Sequence, residues 1–161
     1  MIAFVPLLII SAIANVTPVE PTNLAQGAQY SFARPPSYEA TSDANDRVQL
    51  TDGRFSSGQM WSSKEAVGWY AGAQPIVIDV DLSAVRALGQ VCVRSARRQA
   101  AGVSFPASID IFISNDGQEY GWVGDAAAGQ DVSDGEYLSK YICSRELGQK
   151  ARYVRLSVTA R

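Results

Sequence analysis

The chain has 161 residues, with 14 Lys or Arg, 16 Asp or Glu and no histidine. Its slightly negative charge offers no basic surface for nucleic acid or for an anionic membrane. Without histidine, Ser-His-Asp and Cys-His catalysis are excluded, and two cysteines alone do not complete a standard zinc site.

The first 14 residues, MIAFVPLLIISAIA, form an apolar run that predicts a signal peptide. Ala12 and Ala14 have the spacing of a cleavage site before Asn15, although no positive charge precedes the run. A buried N-terminal strand and a truncated anchor are the alternatives, and the run is short for a membrane span, so membrane insertion is not expected. We therefore expect a secreted or cell-surface protein with a linker at 15–22 and one domain at 23–161.

The two cysteines, Cys92 and Cys143, lie in apolar segments that are typical of strands. An even pair in a secreted chain favours a disulfide. Two buried free thiols are the alternative, because spacing alone does not establish the geometry that a bridge needs.

Short alternating segments follow one another along the domain. Residues 76–82 (IVIDVDL) show the pattern of a half-buried strand most clearly, and residues 115–117 (NDG) predict a hairpin turn. The other predicted strands are 23–32, 85–95, 107–114, 119–123, 137–145 and 151–159. The predicted loops are 36–47, 62–74, 96–102 and 124–136. Because no amphipathic helical run is present, the pattern predicts an all-β sandwich.

Four segments carry a family resemblance in their order along the chain. They are QLTDG…W at 49–61, IVIDVDLSAVRALGQV at 76–91, GVSFPASIDIFISNDGQEYGWVGD at 102–125 and KARYVRLSV at 150–158. Together they resemble the discoidin-like domain, also called the coagulation factor 5/8 type C domain, which overlaps with family 32 carbohydrate-binding modules in the galactose-binding-like superfamily. The resemblance implies a jelly-roll β-sandwich whose loops at one end bind glycans, proteins or lipid head groups.

Two features depart from the family pattern. The family usually continues after the RYVRL strand with a closing strand that carries an acidic residue, whereas this sequence ends at Arg161. Either the N-terminal segment supplies that strand, or the domain is truncated there and further domains are linked downstream, which is the expectation we adopt. Galactose-binding members often use a histidine that this sequence lacks, so galactose is not the expected ligand.

The segment 49–61 is similar to the family's structural calcium loop. Calcium binds six to eight oxygen atoms from carboxylates, carbonyls and hydroxyls. The resemblance assigns these to five residues: Leu50, Asp52, Arg54, Ser56 and Ser57. The alternative is an Asp-Gly turn that binds no metal.

Large aromatic side chains in or beside loops are candidates to stack on a sugar ring. Trp69, Tyr70 and Tyr137 fit this description. Three other large aromatics match framework positions of the family and are assigned to packing: Trp61, Tyr120 and Trp122.

A cluster of arginines supplies the candidate polar contacts. Arg94, Arg97 and Arg98 end one predicted strand and enter the next loop. The planar guanidinium suits vicinal hydroxyls, carboxylates or sulfates, so an acidic or sulfated sugar is one option for the ligand. A solvated loop edge is the alternative.

These observations predict a non-catalytic carbohydrate-binding or adhesion module, the N-terminal accessory part of a larger secreted glycan-active protein. A protein- or phospholipid-binding discoidin module is the alternative, and it requires exposed apolar loop tips, for which Phe32, Phe55 and Met60 are the candidates. Catalysis is not expected, because Asp79 and Asp81 are the nearest approach to an acid pair and nothing around them suggests a raised pKa.

Overall fold

The structure, a computed structural model, describes residues 2–4, 7–10, 22–129 and 136–161. Within these ranges the chain forms ten strands and two short 3₁₀ helices, Met60–Ser62 and Gln99–Ala101. The strands are β1 (Ile2–Phe4), β2 (Leu7–Ile10), β3 (Gln29–Phe32), β4 (Gly68–Tyr70), β5 (Ile76–Leu88), β6 (Val91–Arg97), β7 (Ser108–Ser114), β8 (Gly121–Asp125), β9 (Leu138–Cys143) and β10 (Gln149–Thr159). No helix in these ranges has the length and apolar character needed to cross a bilayer.

The strands pair antiparallel in three sheets. A five-stranded sheet has the order β3-β5-β10-β7-β8, a three-stranded sheet has the order β2-β6-β9, and β1 pairs with β4. Apart from the β7–β8 hairpin, neighbouring strands in the two larger sheets are not consecutive in sequence, as in Greek-key and jelly-roll sandwiches. The prediction of an all-β jelly-roll sandwich is confirmed.

The core lies between the two larger sheets. Ile76, Ile78, Val80 and Leu82 of β5 are buried, as the alternation at 76–82 predicts. They share one cluster with the buried residues of β6, β7, β9 and β10, which include Val93, Ile109, Ile111, Ile142, Val154, Leu156 and Val158. Burial of apolar area at about 25 cal/mol per Å² is the main stabilisation of this sandwich.

Strand β5 is longer than the strand predicted at 76–82 and continues to Leu88. The chain bends at Ser83, which has a φ of 65°, and the Asp81 carboxylate accepts the Ser83 N–H at 2.8 Å. The pairing with β10 shifts register near this bend and then resumes. The strand predicted at 85–95 is therefore divided between the end of β5 and the start of β6.

A second, smaller apolar cluster lies beside the main core. Its buried members are Met60, Ala66, Ala96 and Val103. Tyr38, Trp61 and Tyr137 pack against it while remaining partly exposed. This cluster supports the loop 53–61 where that loop meets the ends of β6 and β9.

The segment predicted as a leader contains two strands. β2 pairs with β6 and β1 pairs with β4, and β4 itself lies in the predicted loop 62–74. Ile10 is fully buried, and its carbonyl accepts the Leu24 N–H at 2.7 Å. Residues 11–21, with the proposed cleavage point and most of the predicted linker, lie outside the described residues. Cleavage before Asn15 stays a prediction.

Candidate functional site

The outer face of β6 and β9 brings the two cysteines and one predicted arginine together. The antiparallel register places Cys92 opposite Cys143 and Arg94 opposite Tyr141. Cys92 and Cys143 form a disulfide that closes 51 residues of sequence. Since the side chains at 92 and 94 share one face, the bridge lies beside Arg94 and Tyr141.

Arg94 is held in place by an aromatic ring and a hydroxyl. Its Cζ lies 5.2 Å from the centroid of the Phe55 ring, and its Nη2 donates a hydrogen bond to Ser139 Oγ at 3.3 Å. Phe55 is 49% exposed and Tyr141 is 40% exposed. Burial raises the pKa of Tyr141 while Arg94 acts to lower it, so the phenol stays neutral beside the guanidinium. The arrangement presents a cation between two accessible rings.

A second arginine occupies a similar setting where the loop 53–61 ends. Arg98 Cζ lies 5.6 Å from the Trp61 ring centroid. The Trp61 ring meets that of Tyr137 edge-on at 5.2 Å, and the Tyr137 hydroxyl donates to the Gly58 carbonyl at 3.3 Å. We call the combined set the arginine–aromatic surface: Phe55, Trp61, Arg94, Arg98, Tyr137 and Tyr141.

The loop 49–61 is fixed to the rest of the domain by hydrogen bonds. The Tyr30 hydroxyl donates to the Asp46 carbonyl and accepts the Leu50 N–H at 3.1 Å. Desolvation raises the pKa of Tyr30 well above its usual value, so the hydroxyl keeps its proton. The Gln49 side-chain amide donates to the Lys64 carbonyl. These anchors allow a loop with few aliphatic residues to hold one shape.

The predicted arginine cluster is divided by strand alternation. Arg97 faces the opposite side of β6 from Arg94, and its Cζ lies 5.6 Å from the ring centroid of the buried Phe105. Lys140 Nζ lies 5.1 Å from the same centroid. Arg97 is therefore placed against the core and not with Arg94 and Arg98.

Two of the aromatic residues predicted to contact a sugar, Trp69 and Tyr70, do not lie in the arginine–aromatic surface. Trp69 is fully buried, donates its indole N–H to the Arg34 carbonyl at 3.1 Å and packs edge-on against Phe32, which excludes it from stacking on a sugar. Tyr70 is about half exposed, but its ring contacts Tyr38 at 5.3 Å. Of the three predicted aromatics, only Tyr137 joins the surface.

Sequence reasoning considered Phe55 only as an apolar loop tip, did not assign Tyr141 to the glycan site, and assigned Trp61 to the framework. One signal could have found Tyr141: if Cys92 and Cys143 pair in an antiparallel ladder, residues 94 and 141 must also be opposite each other. The interpretation of Trp122 as a framework residue is wrong, because its side chain is 60% exposed.

The predicted calcium loop and the residue Asp46 shortly before it contain buried oxygen atoms without hydrogen-bond partners. These atoms are Asp46 Oδ1, Gln49 Oε1 and Ser56 Oγ. Asp52 Oδ1 accepts the Arg54 N–H at 2.8 Å across Gly53, whose φ is 77°. Burial raises the pKa of Asp46.

Orphaned oxygens next to a carboxylate fit a hard cation in their chemistry. Of the five predicted ligands, Leu50 and Arg54 are expected to contribute backbone carbonyls and Ser57 is exposed, so Asp52 and Ser56 fit best through their side chains. Asp46 and Gln49 are buried neighbours that the resemblance did not assign. In the described part of the chain, no group of three or more acidic, Cys or His side chains is close enough to hold a metal.

The two carboxylates considered as an acid pair are each bound to an arginine. Arg155 binds Asp79 through two hydrogen bonds of 2.6 and 3.0 Å, and Arg152 binds Asp81 through two of 2.8 Å. The hydrogen bonds from Arg152 lower the pKa of Asp81. A glycosidase acid needs the opposite shift.

Comparison with known proteins identifies the fold. No protein-family model matches the sequence, and neither does a curated protein. A Clostridium perfringens module, CpGH89CBM32-5 in complex with GalNAc-β-1,3-galactose, is similar in structure with a TM-score of 0.54 and 13% identity, over 84% of this chain and 85% of that one.

Two further solved structures are similar. Chitosan-binding module 1 of a chitosanase/glucanase from Paenibacillus sp. IK-5 has a TM-score of 0.52 and 19% identity, over 86% of each chain. CpGH89CBM32-6 from C. perfringens has a TM-score of 0.44 and 18% identity, over 87% of this chain and 90% of that one. The two structures with TM-scores above 0.5 show that the chain shares the β-sandwich fold of these carbohydrate-binding modules, which is the fold that the resemblance implies.

Proposed function

We propose that this chain is a non-catalytic carbohydrate-binding module and that the arginine–aromatic surface is its glycan site. The observation that carries the proposal is the setting of Arg94, which lies between the Phe55 ring and the Ser139 hydroxyl and beside the accessible ring of Tyr141. Aromatic faces next to fixed polar donors are the usual composition of saccharide sites. The pairing of Asp79 and Asp81 with arginines is consistent with a role in binding alone.

The ligand class follows from the charge of this surface. Arg94 and Arg98 supply guanidinium donors, which bind carboxylates and sulfates more strongly than neutral hydroxyls. We therefore propose an acidic or sulfated glycan, with Tyr141, Trp61 and Tyr137 available to contact the apolar faces of its sugars. The two structures with TM-scores above 0.5 are named for binding carbohydrate, GalNAc-β-1,3-galactose in one and chitosan in the other.

The setting of the module supports an accessory role. The Paenibacillus module is derived from a chitosanase/glucanase, so the same fold occurs as part of a glycan-degrading enzyme. We propose that this chain serves a larger secreted or cell-surface protein, to which further domains are linked. A weak single site then gains retention from the linkage, because the second binding event becomes intramolecular.

The test is calorimetric titration of the full chain with oligogalacturonate, sulfated oligogalactan and their uncharged counterparts. We expect Arg94→Ala to weaken binding of the acidic glycans about 10- to 100-fold, since a charge-assisted contact contributes roughly 1.5–3 kcal/mol. Arg94→Lys keeps the charge but loses the planar donor pair, so an intermediate affinity is expected. Arg86→Ala is the matched control, because Arg86 is exposed on β5 of the other sheet.

Two outcomes would reject the assignment. If Arg94→Ala and Arg86→Ala bind every glycan as tightly as the unmodified chain, the surface is not the site. If no glycan binds and anionic vesicles capture the chain, the phospholipid alternative is favoured. That alternative has little support, because Met60 is fully buried, Phe32 packs against Trp69, and only Phe55 of the three apolar candidates is exposed.

We also propose that the loop 46–57 holds a structural calcium ion. The unpartnered buried oxygens of Asp46, Gln49 and Ser56 support this, together with the carboxylate of Asp52. Calcium at 1 mM is expected to raise the melting temperature of the chain, and Asp52→Ala should abolish the rise. Magnesium at the same concentration is the control, since it dehydrates reluctantly and prefers stricter octahedral geometry. A melting temperature insensitive to calcium would leave the loop as a metal-free Asp-Gly turn.

A further inference from the structure

An accessible tryptophan lies on the sheet opposite the arginine–aromatic surface. Trp122 belongs to the edge strand β8, is 60% exposed and donates its indole N–H to Asp110 Oδ1 at 2.9 Å. The hydrogen bond holds the ring in one orientation on the surface. A large ring that is exposed and also fixed is available for stacking, because little side-chain freedom is lost when a flat ligand covers it.

Trp122 ends a row of outward side chains that crosses the whole sheet. The register places Trp122 opposite Phe112 of β7, Phe112 opposite Arg155 of β10, Arg155 opposite Asp79 of β5, and Asp79 opposite Ser31 of β3. At about 4.8 Å between strands, the row is roughly 19 Å long. It thus offers an extended line of contacts, apolar at one end and hydrogen-bonding at the other.

A groove of about 430 Å³ runs along the polar end of this row. Hydrogen-bonding side chains line it: Gln29, Ser31, Asp79, Asp81, Tyr120 and Tyr153. The Tyr120 ring lies 3.9 Å from Arg155 Cζ, so the ring, the guanidinium and the bound Asp79 carboxylate form one fixed group. Such a group meets a ligand with its donors and acceptors already positioned.

The charge of this face differs from that of the arginine–aromatic surface. Arg152 and Arg155 are each bound to a carboxylate, which compensates both positive charges. Asp110 and Asp116 add negative charge to this face. Within the part of the chain that the structure describes, neither carboxylate forms an ion pair with an arginine. An anionic sugar is therefore disfavoured here, whereas an uncharged polyhydroxylated chain can bind the paired ions through its hydroxyls.

We propose that the outer face of the five-stranded sheet, from the groove at Asp79 and Arg155 to the ring of Trp122, is a second saccharide-binding surface for an uncharged oligosaccharide. One sugar stacks on Trp122, and the hydroxyls of the following sugars bind Arg155, Asp79 and the groove side chains. This surface goes beyond the glycan site proposed above and does not depend on it. The domain would then present an anionic-glycan surface on one sheet and a neutral-glycan surface on the other.

The test titrates the full chain with uncharged hexasaccharides of glucose, mannose and N-acetylglucosamine. We expect at least one of them to bind, with affinity about tenfold or more weaker in Trp122→Ala. Trp122→Phe retains part of the stacking area and should lose less. Arg145→Ala is the control, because Arg145 is exposed after β9 and belongs to neither surface, and it should bind as the unmodified chain does. Thermal unfolding of each variant checks that the fold is kept.

Three results would overturn the proposal. The first is that none of the three hexasaccharides binds, and the second is that Trp122→Ala binds them unchanged. The third is a dimer in sedimentation velocity that dissociates in Trp122→Ala, which would assign the face to a second copy of the chain. Loss of acidic-glycan binding in Arg94→Ala bears only on the other surface, so the two sites are tested separately.

Discussion

Replacing both cysteines with serine is expected to destabilise the domain by about 4 kcal/mol. The bridge between Cys92 and Cys143 closes 51 residues of chain. For a loop of this length, the chain-entropy relation gives a loss of about 14 cal/mol/K in the unfolded state, or about 4 kcal/mol at 25 °C. In a domain of this size the corresponding fall in melting temperature is roughly 10 °C.

Equilibrium urea unfolding measures this effect directly. The unmodified chain, the double serine variant and each of them with a reducing agent give four unfolding curves. The reductant should move the unmodified chain to the midpoint of the variant and leave the variant unchanged. The variant should also have a steeper transition, because its unfolded state exposes more surface without the cross-link.

The reasoning is refuted if the variant unfolds at the same urea concentration as the oxidised chain. A second consequence concerns binding, because Arg94 and Tyr141 are two positions from the bridge on each strand. Since the β6–β9 ladder hydrogen bonds keep the register, the reduced chain should lose only a few-fold in glycan affinity while it remains folded.

Three other substitutions separate structural from binding roles. Trp69→Ala should cost about 3–5 kcal/mol of unfolding free energy because the ring is fully buried, whereas Tyr70→Ala should cost about 1 kcal/mol, mainly its edge-on contact with Tyr38; equal costs in thermal melts would contradict the assignment. Tyr30→Phe should cost about 1–2 kcal/mol in urea unfolding, because two backbone groups lose their hydroxyl partner; an unchanged midpoint would show that this anchor is dispensable. Asp81→Asn should destabilise the domain at pH 7, because Arg152 lowers the pKa of Asp81 in the folded state. The difference should begin to shrink as the pH falls below about 4, the ordinary pKa of an aspartate, and it should be lost as the pH passes the lower folded-state pKa. A difference that is as large at pH 2 as at pH 7 would contradict that account.

The alternation of buried and outward side chains along the strands can be predicted from the sequence, because it is a local property of each segment. Residues 76–82 and 107–114 bury the side chains that their period-two pattern assigns to the core. The bend at Ser83 was not accessible, since it depends on a carboxylate bound two residues earlier and on a partner strand about 70 residues away. The three-residue strand β4 is likewise too short and too rich in small neighbours to show a pattern.

The candidate site was predicted less well because it depends on register and on long-range packing. Arg94 and Arg97 are similar in sequence context, and only the face of β6 on which each lies separates the side chain next to Phe55 from the one next to Phe105. Trp69 was predicted to contact sugar and Trp122 to pack in the core, and the structure shows Trp69 buried and Trp122 exposed, for the same reason. Both are flanked by glycine and another bulky residue, yet one lies in the core and the other on an open sheet face.

Because β2 pairs with β6, the predicted removal of residues 1–14 would change the surroundings of the strand that carries Arg94. Leu7 lies opposite Arg94 in this ladder, so the strand that carries this proposed glycan contact is hydrogen-bonded to the predicted leader. Removal of residues 1–14 would convert β6 into an edge strand with free N–H and C=O groups, which other strands can join. Precursor and mature forms would then differ in self-association and in the rigidity of the site, although every residue of that site is present in both.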